Sequence, residues 1–270
     1  MLQEIRNRWD EMTLREYWII YYTLLRKEVV RVLRIWPQTL LPSAVTVSLY
    51  FLIFGKVVGS RVGAMDGFDY MKFITPGLVI MSVINNAYTN VVGSFYGARF
   101  NHSIQELLVS PATNHLIILG YISGGIARGC FVGVVVSIVA ALFGGISIHL
   151  NSVLLIVLSF VLCGTLFSLG GLLNGIFSQK FDDTSIFPTF VLTPLIYLGG
   201  VFYGLSSLPP FWQHIAQCNP LFYVVNFVRY AFIGYSSVNP MIAFVAIVVL
   251  IAILYSLVWY LLSHGIRLKS

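Results

Sequence analysis

Charge is scarce in this 270-residue chain, and acidic charge is scarcest: ten Asp and Glu stand against sixteen Lys and Arg, together 10% of the residues. All ten carboxylates fall outside the long apolar runs. That excludes a proton relay of Asp and Glu inside a membrane, and with it the commonest proton-coupled carriers. Cysteine is nearly as rare. Cys130, Cys163 and Cys218 have no paired spacing for a redox or metal centre and read as packing residues. The five histidines are scattered, with no H-E-x-x-H and no carboxylate at ligand spacing. A G-x-x-x-x-G-K-[ST] phosphate loop and a nucleophile elbow are both missing, so neither the usual nucleotide cradle nor acyl-transfer chemistry is encoded. This inventory points away from an enzyme and from a bound cofactor, and a chain of this kind that moves a solute would need energy from elsewhere.

What is abundant is apolar surface. Hydrophobic residues make up 58% of the chain and the mean hydropathy is +0.86, more than one soluble core could hide. A crossing needs about 20 mainly apolar helical residues. Six such runs can be drawn: 38–58, 73–97, 115–143, 151–177, 185–202 and 240–263. The expected fold is therefore an all-α integral membrane domain of 1–270. Residues 1–37 form a cytoplasmic and interfacial segment, 38–263 a six-span bundle and 264–270 a tail. The first 37 residues are rich in mixed charge and show no cleavable signal pattern.

Basic residues set the orientation. Arg6, Arg8, Arg15, Arg26, Lys27, Arg31, Arg34, Arg99, Lys180, Arg267 and Lys269 share one face, whereas Lys56, Arg61, Lys72 and Arg229 share the other. Both termini are thus expected in the cytoplasm. These charges flank spans rather than alternate with exposed aromatics, which points to anionic lipid headgroups and not to nucleic acid. Before the first span, Leu14, Trp18, Tyr21, Leu25, Val29, Val32 and Trp36 recur at steps of three and four, with Lys27, Arg31 and Arg34 on the opposite face. The pattern predicts an amphipathic helix lying in the interface. A soluble helix packed on a partner is the alternative.

Polar residues inside the spans need an account. Asn85, Asn86, Tyr88, Thr89 and Asn90 interrupt the second span, and amides of this kind turn to other helices or to a hydrated path. Arg128 lies 13 residues after His115 in the third segment, whose first turns along the interface would let it snorkel; contact with a substrate is the alternative. Gly125, Gly129 and Gly133, then Gly171 and Gly175, follow the small-x-x-x-small rule and predict close helix packing. Between the second and third spans a short helical pattern places Ile104, Leu107 and Leu108 on one face and ends at Pro111. Asp182 or Asp183 is placed to cap the fifth span.

The stretch after the fifth span is mostly apolar but cut at Pro209–Pro210 and again at Asn219–Pro220. Its two pieces, 211–218 and 221–234, are too short to cross a bilayer. Asn219 followed by Pro220 is a helix start signal. Two short re-entrant helices before the last span are predicted, with Arg229 requiring a wet or anionic neighbour.

This region carries a resemblance. "TPLIYLGGVFYGLSSLPPFWQHIAQCNPLFYVVNFVRY" is similar to the signature of type-2 ABC exporter membrane subunits, with Thr193, Pro194, Leu195, Gly200, Phe202, Tyr203, Leu208, Pro209, Asn219, Pro220 and Arg229 in the family's order. "IQELLVSP" resembles the family's coupling helix at Glu106, Leu107, Leu108 and Pro111, and "RIWPQTLLP", "FITPGLVIMSVINNAY" and "KFDDTS" extend the likeness over nearly the whole chain. The resemblance implies a homodimer in a bacterial inner membrane, gripping two copies of a separate ATPase that uses ATP and Mg. Ile104, Glu106, Leu107, Leu108 and Pro111 would couple to that partner, alongside the interfacial helix of Trp18, Lys27, Arg31 and Arg34. Asn85, Asn86, Tyr88, Thr193 and Tyr197 would face the path, and Pro209, Asn219, Pro220 and Arg229 would form an outer gate. No large outer domain and no aromatic sugar-binding belt is present, so the cargo does not follow from the likeness. The rival classes are a lipid-modifying membrane enzyme and a non-transporting assembly factor.

Overall fold

The structure is a computed structural model, and it describes residues 13–143 and 150–265. Arg6, Arg8, Arg267 and Lys269 lie outside the described residues. Helix α1 (Leu14–Arg34) opens on a capping box, in which the Thr13 hydroxyl accepts the Glu16 N–H and Glu16 accepts the Thr13 N–H. The latter bond, with that from the Thr13 hydroxyl, holds the Glu16 carboxyl below its ordinary range. The chain turns at Ile35 into α2 (Trp36–Val62), which loosens into a π-helical stretch at Phe51–Val58. A two-stranded hairpin, β1 (Ala64–Met65) with β2 (Phe68–Asp69), is an addition to the all-α expectation. Its turn uses Asp66 and Gly67 at positive φ.

Then come α3 (Tyr70–Phe100), the short α4 (Ser103–Val109), α5 (Asn114–Leu142) and α6 (Leu150–Phe177). Next are α7 (Asp183–Leu198), α8 (Pro210–Cys218), α9 (Pro220–Ile233) and α10 (Pro240–Ser263). Among the described residues, five helices are long and apolar enough to cross a membrane: α2, α3, α5, α6 and α10. The run expected over 185–202 is shorter than drawn. At ~1.5 Å per residue, α7 spans about 24 Å, because Gly199 and Gly200 end it, Gly200 with φ +80°. Pro188 and Pro194 interrupt its ladder, and the turn at Pro188–Leu192 widens to π geometry. Asp183 caps backward instead of forward, accepting the N–H groups of Gln179 and Lys180 at 2.9 Å.

Helix α3 is the axis of the bundle, packed by α5 on one flank and α6 on another. The glycine stripes make this possible. Gly125, Gly129 and Gly133 of α5 lie against Val83, Ala87 and Val91 of α3, and Gly171 and Gly175 of α6 lie against Tyr88 and Phe95. Small residues at these crossings let backbones approach where lipid supplies no hydrophobic drive. By contrast, α2 and α10 leave most of their apolar surface exposed.

Candidate functional site

Three places bring sequence-predicted residues together. At the hairpin end of the bundle, α8 and α9 start where the proline breaks predict, and the Asn219 side chain accepts the Leu221 N–H as the α9 cap. The amide also donates to Leu195 O of α7 at 2.7 Å. Arg229, 1% exposed, donates to Gly200 O at 2.7 Å and to Phe73 O at 3.4 Å, with its guanidinium 4.0 Å from the centre of the Phe73 ring. Two carbonyls and an aromatic face meet it at close range, and Asp66 of the hairpin turn is the expected anionic neighbour, within electrostatic reach. Gly200 has a carbonyl to offer because the helix has just ended there. Arg229 therefore ties α9 to the start of α3 and to the exit of α7. Tyr70 adds a hydroxyl bond to Phe202 O at 3.2 Å. Pro209 and Pro220 are exposed at the two helix starts.

At the opposite end, α4 is a wedge. Ile104 is 1% exposed and packs with Phe95, Ile117 and Leu261, with Leu107 and Leu108 half-buried beside it. These three anchor the loop in its own core. Gln105, Glu106, Val109 and Pro111 are exposed on the other side. Arg99 fixes the approach: it donates to Gly175 O, Ile176 O and Ser178 O, three carbonyls that α6 leaves free at its end. Arg99→Ala is expected to cost about 1–3 kcal/mol of stability in detergent, with Arg99→Lys recovering part of it. An unchanged thermal midpoint for the alanine variant would sink that assignment.

The path residues divide. Asn86 donates to Ser43 Oγ at 3.1 Å and Ser82 O at 3.0 Å, and with Asn85, Thr46 and Tyr50 it lines a cavity of about 170 Å³ between α2 and α3. Tyr197 is half-exposed, its ring 5.8 Å from that of Phe202, which in turn lies 5.9 Å from Tyr50. Tyr88 faces the other way. It stacks on Phe187 at 6.0 Å and lines an apolar groove of about 470 Å³ with Phe167, Leu192, Leu221 and Leu254. Thr193 spends its hydroxyl and its N–H on Pro188 O, closing the π turn. Among the described residues no group of three or more His, Cys, Asp or Glu is placed to hold a metal ion.

A family model described as ABC-2 type transporter matches residues 20–233. The chain belongs to the ABC-2 type transporter family. It is 50% identical over 254 residues to the inner membrane transport permease YadH of Escherichia coli (strain K12), covering 94% of this chain and 98% of that protein. Nodulation protein J of Rhizobium leguminosarum bv. viciae is 24% identical over 192 residues, 71% of this chain and 73% of that one. Nodulation protein J of Bradyrhizobium diazoefficiens is 27% identical over 183 residues, 67% and 68% of the two chains.

In this ABC-2 chain the helix expected to lie on the interface is also built into the bundle. Leu24 lies against Gly120 and Glu28 against Gly124, so α1 advances in the direction of α5. Trp18, Trp36, Lys27 and Arg34 stay exposed. Arg31 does not stay on the outer face: it turns to Glu28 at 2.7 Å and to the backbone and side-chain oxygens of Asn90 at 3.2 and 3.1 Å. The second oxygen of Glu28 accepts the Ser94 hydroxyl at 2.7 Å. Glu28, 3% exposed, was missed as a site residue because it precedes the first span in sequence. The available signal was its place between Leu24 and Val32, four residues either side, in the middle of the face that buries.

Proposed function

We propose that the chain is the membrane-spanning permease subunit of an ATP-driven exporter in a bacterial inner membrane. It would move an unidentified substrate with energy from a separate ATPase. Two copies of the permease would pair, two copies of the ATPase would use ATP and Mg, and this chain would bind no cofactor. Six crossings, with α7 as the fifth, would place both termini in the cytoplasm and leave α8 and α9 as re-entrant helices gating the outer exit. The α2–α3 cavity at Asn85 and Asn86, with Tyr197 near it, would belong to the path. Family membership and the inner membrane transport permease of Escherichia coli to which the chain is 50% identical support this reading.

The observation that carries it is the geometry of α4. One face is locked into the core by Ile104 and steadied by Arg99, while Gln105, Glu106, Val109 and Pro111 are left free. A rigid wedge joining two spanning helices transmits a push without absorbing it, because packed cores are not continuously deformable. Glu106→Lys is expected to lower substrate transport at least tenfold in vesicles reconstituted with the ATPase, while insertion and pairing of the permease persist. Transport per ATP hydrolysed equal to that of the unaltered protein would defeat the coupling role.

A further inference from the structure

The seam between α1, α3 and α5 sets two guanidinium groups against one carboxylate. Arg31 and Arg128 lie within electrostatic reach of one another, since Arg128 is one turn beyond the Gly124 that meets Glu28. Glu28 is the carboxylate there, and its two oxygens are taken by Arg31 and Ser94. Arg128 has no hydrogen-bond or ion-pair partner among the described residues. Its Nε, the Nε of Arg31 and the Nδ2 of Asn90 are buried donors without acceptors, and Asn90 is 1% exposed. Such groups are costly to leave unmet, most of all beside lipid. Arg31 also lines a shallow concavity of about 530 Å³ with Arg26, Lys27 and Arg34, a basic groove on α1 whose one member shared with the seam is Arg31 itself.

We propose that Arg31, Arg128 and Asn90 form a binding site for a phosphate group, supplied by the headgroup of an anionic phospholipid that enters along the groove of Arg26, Lys27 and Arg34. A phosphate offers several acceptor oxygens to two planar guanidinium forks, which suits both the charge surplus and the orphaned donors. The groove raises the local concentration of anionic headgroups before one is seated. The ligand would bridge α1 to α3 and α5, bracing the amino-terminal helix against the bundle. This inference rests on the chain's placement in a bilayer and not on the coupling reading, and its test uses no ATPase.

The full-length permease in detergent is titrated with phosphatidylglycerol, with diacylglycerol of the same chains, and with inorganic phosphate, reading the thermal midpoint and lipid adducts by native mass spectrometry. Phosphatidylglycerol is expected to raise the midpoint saturably and diacylglycerol to leave it unmoved. Arg128→Gln should weaken the phosphatidylglycerol response at least tenfold without lowering the lipid-free midpoint, because the guanidinium it removes has no protein partner to lose. Arg128→Lys, which keeps the charge but not the fork, should weaken it about threefold. Inorganic phosphate matching the lipid's half-saturation would uphold the anion chemistry and assign a soluble source. The site is refuted if Arg128→Gln responds like the unaltered protein, if diacylglycerol matches phosphatidylglycerol, or if Arg128→Gln fails to fold.

Discussion

Arg229→Met is expected to lower the thermal midpoint of the purified permease by roughly 5–10 °C. The guanidinium is almost wholly enclosed and serves Gly200 O, Phe73 O and the Phe73 ring together. Methionine fills a similar volume but leaves two carbonyls without a donor, at about 1–3 kcal/mol each. Relief of a desolvated charge offsets part of that, so a net loss of about 2–4 kcal/mol follows. Arg229→Lys keeps the charge yet offers one compact ammonium where two carbonyls in different elements need a fork, and it should restore less than half of the loss. The midpoint can be read by heating in detergent and scoring the monodisperse fraction. A methionine variant as stable as the parent would show that the clamp holds nothing.

The second large effect is steric. A Cβ on Gly171 would stand 2.6 Å from the backbone oxygen of Tyr88 and 3.4 Å from its carbonyl carbon. No rotamer change relieves a clash with backbone, so α6 must separate from α3, which is the contact around which the bundle is organised. Overpacking of this kind costs about 1–3 kcal/mol for alanine and more for a branched side chain. Gly171→Val should yield no folded permease in the membrane fraction. Gly93 is the matched control, since a Cβ there meets nothing within 4 Å. Gly93→Ala should be neutral or stabilising by up to about 1 kcal/mol, because alanine is the better helix former. Equal expression and equal midpoints for the two alanine variants would contradict the close-approach account.

Much of the α4 wedge and the broken stretch was readable before any coordinates. Asn219 and Pro220 are local instructions: a side-chain acceptor for an unsatisfied N–H, then a residue whose missing N–H does no harm at the first helical position. Ile104, Leu107 and Leu108 share a face by spacing alone. Their direction was not readable. They resemble a docking surface in sequence, and they turned out to anchor α4, leaving Glu106 and Pro111 outside. Arg99 reads in sequence only as one basic residue in the count that sets orientation. Its three carbonyl partners come from a helix some 76 residues later, a distance no local pattern encodes.

The sequence by itself determined which stretches become helices and, to within a few residues for most of them, where they stop. In an apolar surrounding each backbone must satisfy its own polar groups, so long apolar runs become helices, and proline or paired glycine ends them. Which side of each helix meets which neighbour was decided only by the tertiary structure. A span that is apolar all round carries almost no amphipathic signal, so nothing local separates Tyr88, facing an apolar groove, from Asn86, two residues earlier in the same run and facing a cavity it shares with Ser43, Thr46 and Asn85. The same holds for Glu28 and Arg229: their sequence neighbourhoods show an expensive charge, but the carbonyls, hydroxyls and rings that meet it arrive from elements folded against it.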